Sequence, residues 1–230
     1  MLVAAALVPP TALLLPGAAG RAEVLADERA AAVAAVADVL AAGADRVVLV
    51  VGTDPDRAGP PWRRPAPGAH RVRFSLAAAG VPGPGTGAEP AVSVGHWVLD
   101  RAGHRGEVEL VLAPADAPGD HLRALGERVG GPGTVAVVAV GGLSARRGED
   151  APLPVDRRAA AVDEAMVAWW SGTGPAVEGP LARELAVSAW GPLRVLDAIP
   201  AAPATPAIRL LTCPFGATYL VATRLPRTDP

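Results

Sequence analysis

With 230 residues, half of them hydrophobic and 19% charged, the chain is long enough to bury one substantial core and too apolar to be disordered. A net charge of −2 and a pI near 6.1 remove any electrostatic case for nucleic acid or an anionic membrane as partner. All 21 basic residues are arginine, which excludes lysine Schiff-base and P-loop lysine chemistry. The lack of lysine, asparagine and glutamine beside abundant alanine, glycine and proline reads as the codon bias of a GC-rich bacterial genome. Cys213 is the single cysteine, so neither an intramolecular disulfide nor a multi-cysteine metal site can form. Its apolar run before Pro214 predicts a buried, inert thiol.

Residues 1–20 imitate a secretory signal, with an apolar run and small residues at Ala18, Ala19 and Gly20. No basic segment precedes the run, and Pro9-Pro10 interrupts it. It is also too short and broken to span a bilayer. Residues 2–8 therefore read as the first, central strand of a sheet and 9–20 as its strand-to-helix loop, with a cytoplasmic location expected. A helix follows over 21–42, with Leu25, Ala32, Val36 and Leu40 at helical spacing and Glu23, Asp27 and Glu28 in its first turns. Gly43 ends it. The β-branched run 46–52 is the pattern of a strand covered on both faces. Residues 53–69 form a long Pro/Gly-rich loop, of a length that in one domain is usually functional or mobile.

A short strand over 72–76 and a Gly/Pro-rich connection over 77–89 lead to a helix over 90–102, closed by Gly103. Strand 107–113, helix 120–129 and strand 134–140 come next. Pro154 suits a first helical position, and Val155, Ala159, Val162, Met166 and Trp169 or Trp170 give that helix an apolar stripe. Short helices over 181–190 and 193–199 precede strands 208–212 and 217–223, joined by a link short enough for a hairpin. Strand–helix alternation without an internal repeat predicts one α/β domain spanning 1–230, with a mainly parallel central sheet sandwiched by helices and a C-terminal antiparallel hairpin.

Three segments carry a resemblance: 138–152 with Gly141-Gly142-Leu143-Ser144, the helix-strand stretch 94–103, and Pro214-Phe215-Gly216-Ala217-Thr218-Tyr219. In these the chain resembles the class III extradiol ring-cleavage dioxygenases, specifically single-chain bacterial proteins related to the catalytic subunit of protocatechuate-cleaving enzymes. The resemblance implies an Fe(II) site with two histidines and one carboxylate at the carboxyl ends of the strands, and a further histidine for proton transfer. The first ligand histidine belongs in the loop after strand one, where this chain has Pro10 before Thr11-Ala12-Leu13-Leu14. The proton-transfer histidine belongs directly after Ser144, where Ala145 stands. The second ligand belongs at the end of strand two, at Thr53-Asp54-Pro55-Asp56. No acid matches the carboxylate, Asp197 being the one candidate between Glu184 and the last strand.

The resemblance therefore implies a relative that has lost its iron and its catalysis and keeps the cleft for a carboxylate or aromatic ligand or for a partner. Pro10, Thr11, Thr53, Asp54, Gly141, Gly142, Ser144 and Arg146 are the residues expected to line it. No cofactor is expected on this reading, and self-association stays open. The alternative is an active metal-dependent oxidoreductase that holds Fe(II) with Asp54, Asp56 and His70 as replacement ligands and cleaves an aromatic diol. Of the four histidines, His96, His104 and His121 read as partly exposed structural residues, and His70 lies in the loop after strand two. Gly141-Gly142 lacks the further glycines and lysine of a phosphate loop. Ser144 lacks the elbow motif of a hydrolase nucleophile. Arg146-Arg147 beside Glu149-Asp150 reads as a self-paired loop, with an anion clamp as its functional alternative.

Overall fold

Runs such as VVLVVG and VAVVAV have no polar face, so they suit a sheet covered on both sides. A computed structural model, which describes residues 1–53, the backbone of 71–75, and 90–227, has them so. Strands β1 (Leu2–Val8), β2 (Arg46–Thr53), β3 (Arg71–Ser75), β4 (Glu107–Pro114), β5 (Val135–Val140), β6 (Ala204–Thr212) and β7 (Tyr219–Pro226) form one sheet. Its order is β3-β4-β2-β5-β1-β7-β6. The four middle strands are parallel. Antiparallel pairs close both edges: β3 beside β4, and the β6–β7 hairpin beside β1. The expected fold class is the one observed.

Helices α1 (Ala26–Leu40) and α2 (Pro90–Arg101) cover one face, and α3 (Gly119–Val129), α4 (Ala159–Ser171), α5 (Gly179–Glu184) and α6 (Trp190–Asp197) cover the other. Strand alternation divides the core between them. Ala5 and Leu7 of β1 join Leu122, Met166 and Trp170 on one side, while Ala6 and Val8 join Val36 and Leu99 on the other.

Several element boundaries differ from the sequence reading. α1 begins at Ala26 rather than at Arg21, because Leu25 takes a left-handed backbone (φ 54°) that breaks any continuous helix. Glu23 therefore lies before the helix, within 3.8 Å of Arg29. The helix assigned to Pro154 starts at Ala159; Pro154 and the exposed Val155 belong to the preceding loop. Trp190 opens α6 instead of closing α5, since Ala186 (φ 55°) turns the chain between them. β6 starts at Ala204, four residues early, and as the edge strand it exposes Ile208 and Leu211. Cys213 is exposed at the end of that edge, not buried. His96 departs in the opposite sense: it is buried in α2, and burial depresses its imidazole to about 4.

Candidate functional site at the sheet rim

β1, β2 and β5 are neighbours in the order β2-β5-β1, with Val140 in register with Val8 on one side and Val51 on the other. Their carboxyl ends thus open at one rim, the place where open α/β sheets hold ligands. Asp54, Asp56 and His70 lie outside the described residues; Pro10, Thr11, Thr53, Gly141, Gly142, Ser144, Ala145 and Arg146 lie within them.

The glycines at this rim serve close packing. Gly141 donates its N–H to the Val8 carbonyl at 3.0 Å. A methyl on Gly141 would sit 2.5 Å from Ala189 Cα, and one on Gly52 would run into the Ser188 carbonyl. Glycine at the ends of β2 and β5 is what admits the turn before α6 onto the sheet. Gly142 donates its N–H to Ser188 Oγ at 2.8 Å and accepts from Ala189 N–H at 3.0 Å. Its amide already has a partner within the chain. A methyl on Gly142 would meet the Pro10 ring at 3.2 Å, so Pro10 packs directly over the glycine pair.

Thr11 faces two ways. Its Oγ1 accepts from Leu13 N–H at 3.3 Å, capping the 3-10 turn Ala12–Leu14, and the side chain hydrogen-bonds to Tyr219. Burial pushes the Tyr219 hydroxyl up, against the lowering effect of that bond. Behind it the buried Glu28 accepts from Thr212 Oγ1 at 2.9 Å. Arg29 pins the loop by donating to the carbonyls of Leu14 at 2.9 Å and Val24 at 3.0 Å. Thr53, half-buried at the end of β2, accepts Ala115 N–H on its carbonyl at 3.0 Å.

Ser144 points into the protein and is 0% exposed. Its N–H donates to Asp163 Oδ1 at 2.7 Å, its hydroxyl to the Leu185 carbonyl at 3.1 Å, and its carbonyl accepts Thr218 N–H at 3.0 Å. Asp163, 3% exposed on α4, also accepts from Thr218 Oγ1 at 2.5 Å and Arg147 at 3.3 Å. Burial raises its carboxyl above the usual range, and the Thr218 hydroxyl, the Ser144 amide and the Arg147 guanidinium oppose that rise. A buried acid with three donors is a structural anchor: it joins the loop after β5 to α4 and to the start of β7.

Ala145 is buried and offers no proton-transfer group. Arg146 donates to the Pro154 carbonyl at 3.0 Å, and its backbone bonds Ser144 Oγ and Asp156 N–H. Arg146 and Arg147 thus brace their own loop, and Ser144 and Arg146 are architectural here instead of lining a cleft. Asp197 hydrogen-bonds Trp169 Nε1 at 2.6 Å and lines a small cavity with residues 2–5 at the amino-terminal half of β1, away from the rim. Among the described residues no group of three His, Cys, Asp or Glu side chains is arranged to hold a metal ion.

Sequence pattern marks neither Asp163 nor Ser188 as part of the rim, and Tyr219 enters it only as the end of a matching segment. Asp163 has a faint signal, a carboxylate beside the apolar stripe position Val162. Ser188 has none, since its partner Gly142 lies 46 residues away.

Fold and rim together define an open α/β protein whose parallel strands end in a lining of proline, glycine and alanine, braced from behind by a hydroxyl–carboxylate network. No protein-family model and no curated protein matches the chain. Among solved structures it is similar to the crystal structure of an uncharacterized protein of Escherichia coli K12, with a TM-score of 0.51 and 13% identity over 97% of this chain and 99% of that one. At that identity the likeness carries the fold alone. No described helix is long and apolar enough to cross a membrane.

Proposed function

We propose that the chain is a diverged relative of the class III extradiol dioxygenases that holds no catalytic iron, cleaves no catechol, and uses its strand-end rim for a ligand or a partner. The observation that supports this most is the packing of Pro10 over Gly142 in a rim whose neighbouring position is Ala145. Two positions where the resemblance calls for histidine carry side chains with no donor atom. Iron that binds a diol and O2 together needs a facial set of two histidines and a carboxylate with open positions. The loop after β5 meanwhile is tied down through Asp163, so the part of the chain most similar to those enzymes serves here to lock α4 and the β6–β7 hairpin to the sheet.

Metal analysis of protein purified without chelator, run beside oxygen uptake on a catechol with added Fe(II), tests the reading. The expected result is substoichiometric iron and no ring opening. Stoichiometric iron with turnover, abolished by Asp54→Ala or His70→Ala, would overturn it and establish a site rebuilt from the loop after β2.

A further inference from the structure

A cavity of about 430 Å³ opens on the other side of β2, beyond the carboxyl end of β4. One wall is the segment 115–119 that leads into α3, and the facing wall is 176–183 with Trp190 and Arg194 of α6. The volume falls within the range that holds a small metabolite.

Three positive elements converge on it. The Arg194 guanidinium reaches the first residue of α3, its Nη2 lying 3.7 Å from where a methyl on Gly119 would be. α3 is eleven residues long, and Pro118 gives its amino end no side-chain cap. That end carries partial positive charge and amides suited to an anion. Arg183 lies on the opposite wall. A guanidinium placed at a positive helix end is repelled unless an anion joins the two. Other described arginines have such a partner: Arg46 meets Glu109, Arg147 meets Asp163, Arg158 meets Asp156 and Arg209 meets Asp38. Arg194 has only the more distant Asp197, which it stabilises through space.

The remaining lining limits the ligand. Asp116 and Glu178 also face the cavity, so it suits one anionic group and a body rich in hydroxyls that can donate to those carboxylates. The Trp190 indole, fixed by its Nε1 bond to the Val177 carbonyl at 2.8 Å, supplies an apolar surface for that body. We infer that this cavity binds a small phosphomonoester of a hydroxylated compound, its phosphate held by Arg194, Arg183 and the amino end of α3. Arginine suits this task through its planar fork of donors, and a chain without lysine has no other strong cation for it.

The site is independent of the rim, and its test does not touch iron or catechol. Calorimetric titration of the full chain with ribose 5-phosphate, inorganic phosphate and ribose separates the contributions. Ribose 5-phosphate is expected to bind saturably at one site, inorganic phosphate to compete with it, and ribose to bind at least about tenfold more weakly. Arg194→Ala and Arg183→Ala should each weaken the phosphate ester about tenfold or more, with circular dichroism showing the fold retained. Glu178→Gln should weaken ribose 5-phosphate and leave inorganic phosphate unchanged. Arg105→Ala, which removes an exposed pair with Asp100 elsewhere, should change nothing. Absence of saturable binding by either phosphate at millimolar concentration, or binding that survives both arginine substitutions, would overturn the proposal.

Discussion

The rim at the ends of β1 and β5 and the cavity at the end of β4 lie along one edge of the same sheet, yet they are built in opposite ways. At the rim Ser144, Asp163, Thr218, Ser188 and the Gly142 amide are paired with one another inside the protein. In the cavity Arg183, Arg194, Asp116 and Glu178 face open space, and an uncapped helix end joins them. The difference teaches that the segment most similar to a catalytic family need not be where chemistry remains. A buried polar network is worth most when fully satisfied, which locks a loop in place. Charged groups left facing a cavity cost stability unless something binds there.

The largest expected effect lies on the packed side. Asp163→Ala strands the buried Ser144 amide and the Thr218 hydroxyl and should cost about 3 kcal/mol in chemical denaturation. If it costs under about 1 kcal/mol, the loop after β5 is not locked as described. Titration is expected to act on the packed side as well. His96, in the α2 layer that covers β2, is held neutral down to about 4 by burial, against the ordinary imidazole value of 6.5. Its folded value is depressed, so its contribution is fully present above pH 6.5 and is lost as pH falls towards 4, because the unfolded chain takes up the proton first. The gap corresponds to at most about 3 kcal/mol. Urea unfolding at about pH 7 and about pH 4.5, on either side of that window, checks this. His96→Leu is expected to remove most of the pH dependence that the histidine supplies.

Gly52→Ala should destabilise by about 2 kcal/mol, since the new methyl meets backbone rather than a side chain that can swing away. Its melting midpoint would fall by several degrees; an unchanged midpoint would mean the turn 186–189 rides loosely on the sheet. The smallest effect belongs to the open side. Arg194→Ala should shift stability by less than about 0.5 kcal/mol without ligand, and in the stabilising direction, because it relieves repulsion at the α3 amino end. Adding phosphate should raise the melting midpoint of the unmodified chain and not that of Arg194→Ala.

Local pattern determined much of this fold. Alanine and valine runs without polar interruption could only be two-sided strands, so β1, β2, β4 and β5 were legible to within one residue, and the alternation of strands with helices implied the parallel core. Pattern also placed the ends of β1, β2 and β5 together, because parallel neighbours in an open sheet finish at one rim. What it could not supply were contacts between residues distant in the chain. That Ser144 would turn inward depended on Asp163 arriving from α4 and Thr218 from the start of β7. That Cys213 would be exposed depended on β6 being an edge strand. The left-handed Leu25 and Ala186 set where α1 and α6 begin, and no propensity signals a positive φ at leucine or alanine. The cavity at the end of β4 is the clearest case: Gly119, Arg183 and Arg194 carry no motif, and only the packing of α3 beside α6 brings them to one space.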